Sequence, residues 1–413
     1  MNFTACSSLS LLAAGLLIGV ASAQKPAPPA YLPVEKAGQA ENAGLADASP
    51  AIPLPLSTSG AAAAQGSGIF AGAGFYLLQP FFQNNPAYTV FSQTTKDTTL
   101  DPKNPTTQTL AESARRVDVQ HHMSMAPLVW LGYVNDAGLG IRASGWGFQQ
   151  GTSQSIALAP FAGQFRIGTS GGQTVIVADG TLETVTSATP LGLQAFGDTL
   201  SIQHGPEATV LTVTTKLAVQ VYDLEAIQRY ENPTWTFLVS GGARYVRLSQ
   251  TYNAYDFQST SAAELRTLSS TYDFDGVGPT LAFELHRRIA DSALAIYGQG
   301  RASIVFGSAQ QNASFSGQEL RNNDPNPQFA TQNRDRAIPI LDFEAGLECG
   351  RALGRAWLFG QVGVVGQEWF NAGSASRSTM LNVPGVARPT LGGAPLDSNL
   401  AFLGLTFRVG LNY

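Results

Sequence analysis

Cysteine is almost missing from this chain of 413 residues, which holds only Cys6 and Cys349. Cys6 lies in a leader-like segment expected to be removed, so Cys349 is expected to stand alone and no intrachain disulfide is predicted. Charge is also scarce. Charged residues make up 13% of the chain, against about 25% in an ordinary soluble domain. The net charge of -5 gives no case for a nucleic-acid surface, where a basic stripe would be expected. Long apolar runs are absent past the leader, so no helix of about 20 apolar residues is available to cross a bilayer. Yet 44% of the residues are hydrophobic and 43 are glycine. Apolar residues that are numerous but never clustered must be dealt out singly, as they are along strands with one lipid-facing side.

The terminal segment shows that dealing most clearly. Ala401, Leu403, Leu405, Phe407, Val409, Leu411 and Tyr413 share one parity, and Gly404, Thr406, Arg408, Gly410 and Asn412 the other. Side chains alternate across a strand, so one face is greasy and the other polar or bare. The greasy face runs to an aromatic carboxy-terminus. That pattern suits the last strand of an outer-membrane β-barrel better than a strand of a soluble sandwich.

The amino-terminus reads as an export signal over residues 1–23. Leu9 to Val20 is a short apolar core, and Ala21-Ser22-Ala23 is a small-residue cleavage site before Gln24. The absence of Lys or Arg before the core is atypical. Residues 24–66 form a separate zone rich in Pro, Ala, Gly and Ser, including Lys25-Pro-Ala-Pro-Pro-Ala and the Pro50 to Pro55 stretch. Such a segment buries too little apolar surface to offset its ordering entropy, and a disordered periplasmic lead-in is predicted. Residues 67–413 are assigned to the barrel.

Ten strand-like segments follow: Ile69 to Phe82, about Val117 to Val134, Leu139 to Gln150, Val213 to Tyr230, Thr234 to Tyr252, Tyr272 to Arg287, Leu294 to Gly307, Ile338 to Gly350, Ala356 to Phe370 and Asn399 to Tyr413. Connections alternate strictly between tight and long. The tight ones hold Asn135-Asp-Ala-Gly138, Glu231-Asn-Pro233, Arg288 to Asp291 and Arg351 to Arg355, all rich in turn formers or charge. The long ones span 83–116, 151–212, 253–271, 308–337 and 371–398, read as extracellular loops. Short inner turns, long outer loops and an even strand count place both chain ends on the periplasmic side. The fold class is therefore all-β: a transmembrane, antiparallel, up-and-down barrel of about ten strands. Twelve is the alternative, because Thr174 to Ala178 and Leu200 to His204 within 151–212 also read as strands. Pro279 removes a ladder donor inside the sixth segment, where a bulge is expected.

Trp235 and Tyr245 share the lipid-facing parity. Their ten-residue separation is roughly 33 Å along a strand, or roughly 25 Å of height at a tilt of about 40°, the height of the apolar band. Trp235, Tyr245 and Tyr413 are the predicted aromatic girdle. On the opposite, lumen parity lie Arg142, Arg244, Glu284, Arg301, Asp342, Glu344 and Glu348. Each would cost up to a few kcal/mol in lipid near the midplane, so each is expected to face inward. Two readings stay open: a channel lining that filters ions, or a paired network that fills a narrow barrel. Asp342, Glu344 and Glu348 on one strand favour cations in the first reading.

No catalytic, cofactor or metal site is predicted. Gly168-Thr-Ser-Gly-Gly172 has the letters of a nucleophile elbow but lacks the strand before it and the helix after it. His121 and His122 are adjacent and point apart on a strand, and His204 and His286 look isolated. Asp273-Phe-Asp275-Gly276 lacks the ligand ladder of a calcium loop. An outer-membrane hydrolase would need a Ser–His pair at one rim, and none is legible.

Several short segments together resemble the Legionella-type major outer membrane protein family. They are Tyr222-Asp-Leu-Glu225, Gly241-Gly-Ala-Arg-Tyr245, Phe274-Asp-Gly-Val-Gly-Pro-Thr-Leu-Ala282, Leu294-Ala-Ile-Tyr-Gly298, Glu344-Ala-Gly-Leu-Glu348 and Phe402-Leu-Gly-Leu-Thr-Phe407. They cover the half of the chain from about 213 onward. The resemblance implies an exported, pore-forming barrel in the outer membrane and carries no catalytic residue over. The expected function is passive diffusion of ions or small solutes, with a closed, surface-displaying barrel as the rival. The expected partners are outer-membrane lipid, the barrel-assembly machinery through the terminal strand, the permeating solutes and a second copy of the chain in a homo-oligomer.

Overall fold

The computed structural model describes residues 67–98, 106–158, 166–170, 173–177, 182–190, 209–232, 234–258, 264–289, 292–317, 328–377, 379–383, 386–390 and 398–413. The predicted signal peptide and the 24–66 segment lie outside them, as does Leu200 to His204. No helix among the described residues is long and apolar enough to cross a membrane.

Ten antiparallel strands close a barrel. In chain order they are β1 (Gly68–Phe82), β4 (Ser124–Val134), β5 (Leu139–Leu158), β9 (Thr209–Glu231), β10 (Trp235–Gln258), β11 (Glu264–Arg288), β12 (Leu294–Gly317), β13 (Gln328–Leu353), β14 (Ala356–Trp369) and β17 (Leu400–Asn412). Each pairs with its sequence neighbours in the barrel, and β1 closes the ring on β17 with Phe75 opposite Phe407. Ile69 N–H donates to the Tyr413 carbonyl at 2.9 Å and Tyr413 N–H returns the bond at 2.8 Å. Closure leaves no open edge, which lipid demands because it offers backbone groups no partner.

The expected ten-strand count holds, and the twelve-strand alternative does not. The Thr174 to Ala178 segment becomes β7 (Gln173–Val177), which pairs with β6 (Arg166–Ser170) in a separate hairpin. The long connections also hold ordered structure that loops would lack. β2 (Pro86–Thr98), β3 (Thr106–Asp118) and β8 (Leu182–Pro190) form a small sheet in the order β3-β2-β8, and β15 (Thr379–Val383) pairs with β16 (Val386–Thr390). The second expected strand thus begins at Ser124, since Val117 belongs to β3. β10 and β11 continue to Gln258 and Glu264, so most of the expected loop 253–271 is paired strand. There the ladder continues with its inner face still buried, Ala254 and Leu268 alongside Asp256 and Ser270, while the outer face loses its apolar run.

Two further expectations are corrected. Pro279 causes no bulge: β11 keeps one register against β12 on both sides of Gly278 and Pro279, where pairing lapses without an inserted residue. Cys349 is disulfide-bonded, where a lone cysteine was expected.

The inner turns follow from their residues. The Asn135 side chain accepts from the N–H groups of Ala137 and Leu139, each at 3.0 Å. Gly138 takes φ +79°, and a Cβ there would lie 2.3 Å from the Arg229 carbonyl oxygen, so the position needs glycine twice over. Ser67 N–H donates to Asp136 at 2.7 Å, tying the start of the barrel to this turn. That bond holds the exposed Asp136 carboxyl below its ordinary pKa.

The outer wall is apolar. Val129, Leu131, Leu224, Leu281, Phe343, Leu403 and Val409 all face outward and are more than half exposed. Trp235 sits at the inner rim with the Arg287 guanidinium 5.0 Å from its ring. Tyr245 sits ten residues higher, stacks on Tyr222 at 6.3 Å and donates to Asp275 at 2.9 Å. Tyr413 is 66% exposed at the inner end. An exposed apolar band of this kind is what a lipid-facing barrel wall requires.

Candidate functional site: the charged lumen

All seven predicted lumen charges lie on the inner face, and five of them meet partners that alternation alone did not pick. Arg142 on β5 pairs with Glu225 at 2.9 Å and Glu284 at 2.6 Å. Arg244 on β10 pairs with Asp223 and, across the lumen, with Asp342 on β13, both at 2.8 Å. Arg301 on β12 reaches Asp223 at 3.1 Å and Glu225 at 2.6 Å on β9. These contacts join three guanidiniums and four carboxylates in one network. Lower on β13, Glu344 takes Arg408 at 2.5 Å and accepts from Tyr297 at 2.9 Å. Glu348 sits 3.1 Å from His286 and accepts from Gln361 at 2.7 Å.

Burial explains the pairing. The Glu225 side chain is fully shielded and those of Arg244, Asp223 and Arg301 are nearly so. An isolated charge in such a place costs several kcal/mol, so each must find an opposite charge with good geometry. Neighbouring strands supply short-range partners, as with Arg244 opposite Asp223 in the β9–β10 register. Only the closed ring brings Asp342 to Arg244.

Asp223, Glu225, Arg408 and His286 complete the site but were not predicted as part of it. Arg408 shares the polar parity of the terminal strand, a signal sufficient to find it. Asp223 and Glu225 share parity with Leu217, Val219 and Val221, which look like a lipid face and are instead buried inside. His286 looked isolated because its carboxylate is on β13.

Outward of the network the lumen is filled by apolar side chains. Every barrel strand contributes at least one: Leu78, Ala126, Phe148, Val219, Leu248, Phe274, Val305, Ile340, Trp369 and Phe402 are all at most 2% exposed. Phe402 is the hub, meeting Phe148, Trp146 and Trp369 edge-on at 5.3, 6.3 and 6.2 Å. We call this layer the septum. A narrow barrel is closed by its own side chains in this way.

Above the septum, two segments fold over the mouth. Tyr252 donates to the Ala87 carbonyl at 2.6 Å, and Gln250 donates to the Gly373 carbonyl at 3.2 Å while accepting from Ala375 N–H at 3.1 Å. Asn85 donates to His121 Nε2 at 3.1 Å and accepts from Ser374 at 3.3 Å. Burial pushes the His121 imidazole down to about 4 and keeps it neutral. Below the network lies a cavity of about 220 Å³, walled by charge on one side and by Phe70, Trp130, Trp357 and Phe359 on the other. Among the described residues no cluster of His, Cys, Asp or Glu could hold a metal ion.

A family model described as the Legionella pneumophila major outer membrane protein precursor matches residues 76–412. No curated protein matches the chain. Among solved structures, the outer membrane protease OmpT from Escherichia coli aligns at 9% identity and TM-score 0.34, over 84% of this chain and 96% of that one. A Pseudomonas aeruginosa FadL homologue aligns at 8% and 0.19, over 84% and 90%. The P. putida toluene transporter TodX aligns at 7% and 0.15, over 85% and 90%. Scores this low carry no argument about substrate or activity.

Proposed function

This chain belongs to the Legionella pneumophila major outer membrane protein family, and within it we propose a sealed barrel that spans the outer membrane and holds folded β-structure on the cell's outer side. The observation that carries this reading is the septum, to which all ten barrel strands contribute buried apolar side chains. Water and ions cross a barrel only along a hydrated path, and an apolar constriction this tight excludes both. The closure is built into the wall, since Phe402, Trp369 and Val219 belong to barrel strands.

A second reading is the family-like pore for ions or small solutes. The cavity below the network favours it: about 220 Å³, lined by Arg229, Glu348 and Asn412 as well as by aromatic rings, forms a vestibule at the inner end. Conduction would then need the septum to part. The experiment that separates the two is single-channel current from the refolded mature chain in a planar bilayer, with β-sheet insertion verified in parallel. A silent bilayer supports the sealed barrel. Stepwise conductance that scales with salt overturns it, and reversal potentials in a salt gradient would then test the cation preference expected of the acidic β13 face.

Outer-membrane lipid is the immediate partner of the apolar wall. We further assign β17 and its aromatic end to recognition by the barrel-assembly machinery. A homo-oligomer remains part of the pore reading. No catalytic role is proposed; turnover of a lipid ester lost on changing a single Ser or His would reverse that.

A further inference from the structure

We propose that residues Pro50 to Leu56 of the amino-terminal segment dock into the inner vestibule, against the aromatic wall made by Phe70, Trp130, Trp357 and Phe359. The vestibule is lopsided. β5, β9 to β13 and β17 give it arginines and carboxylates that pair with one another, whereas β1, β4 and β14 give it four aromatic rings that are only half-buried. Trp130 and Phe359 lie 6.5 Å apart, and the Arg408 guanidinium covers one side of Trp130 at 5.8 Å. Rings left half-open beside a cavity are a surface for an apolar ligand with modest hydrogen-bonding needs.

The chain carries such a ligand next to the site. Residues 50–56 read Pro-Ala-Ile-Pro-Leu-Pro-Leu, and Pro53-Leu-Pro55 favours the extended left-handed helix that aromatic grooves accept at low entropic cost. Ser57 to Gly66 then separate this motif from Ser67, which is fixed at the inner rim by Asp136. Phe70, three residues on, already lines the vestibule. Ten linking residues can span up to about 33 Å when extended. The vestibule is therefore within easy reach, and a tether this short sets a local concentration in the millimolar range. The lead-in also faces no charge barrier, since residues 50–66 hold no ionisable side chain.

The test compares two mature chains in the same vesicles: the natural one, and one whose residues 50–56 are replaced by Gly and Ser at equal length. Acrylamide quenching of tryptophan emission is the readout, and resistance to detergent unfolding confirms both barrels. Docking predicts at least a twofold rise in the quenchable fraction on replacement, abolished when Trp130→Ala and Trp357→Ala are both present. Equal quenching of the two chains overturns the proposal. So does a rise that persists in the double variant, because the segment would then shield some other tryptophan. Neither outcome depends on whether the septum conducts.

Discussion

At the scale of single residues, Glu225 is the most consequential side chain of the lumen. It is fully shielded and answers two guanidiniums, those of Arg142 and Arg301. Glu225→Ala would leave both partly uncompensated, and breaking a buried pair by removing one partner costs about 3–5 kcal/mol. The expected result is a large drop in the urea midpoint of the barrel in vesicles; a shift worth under about 1 kcal/mol would show that water or neighbouring carboxylates take over. Gly138 makes the complementary case at the turn. Gly138→Ala meets both a positive φ and the Arg229 carbonyl, so a loss of about 1–3 kcal/mol is expected in the same assay. An unchanged midpoint would mean that the turn relaxes freely.

At the scale of elements, the cap over the outer mouth couples to pH through His121. Its imidazole titrates at about 4 in the folded chain and 6.5 when free, so the unfolded or opened cap binds the proton more readily. Stability of the cap is therefore full above pH 6.5 and falls as the pH drops toward 4, by at most about 3 kcal/mol at 1.36 kcal/mol per pH unit. Limited proteolysis at the segments around Asn85 and Ser374 should quicken between pH 7 and pH 5, and His121→Gln should flatten that dependence. Equal cleavage at both values would remove His121 as the cause.

Legibility also divides by element. The inner turns are marked by Asn135, Gly138 and Asn232, whose backbone chemistry is local, so strand ends on that side were readable to within a few residues. The outer ends were not. β10 and β11 run on past Tyr252 and Tyr272 through Asn253, Ser269 and Ser270, residues that look like loop because the buried inner face there mixes Ala254 and Leu268 with Asp256 and Ser270, which blurs the apolar alternation. The site divides likewise. Arg244 and Asp342 were legible because β10 and β13 show lipid a clean apolar face. Asp223 and Glu225 were hidden because the septum places Leu217, Val219 and Val221 on their own side of β9, which inverts the contrast that alternation relies on.

At the scale of the whole molecule, the septum and the network stack as an apolar layer over an ionic one. Trp369→Ala together with Phe402→Ala would remove the hub of the apolar layer. Truncations of this kind cost about 3–5 kcal/mol each where the cavity persists. In a bilayer the double variant is expected to conduct where the natural chain is silent. A variant that inserts and stays silent would place the barrier in the ionic layer or the cap instead.

The arginine ties that cross the lumen bear on how such a barrel comes to exist. Arg244 finds Asp342, and Arg301 finds Glu225, only when β9, β10, β12 and β13 already share one ring. A partly wound sheet would leave each guanidinium with only its neighbouring-strand carboxylate, Asp223 opposite Arg244 and Asp342 opposite Arg301, and without the cross-lumen partner. Closure thus completes the pairing and favours the full ring. An incomplete ring is penalised at every stage before the last strand docks, and half-built intermediates that could linger in the membrane are driven forward to completion or back out to water.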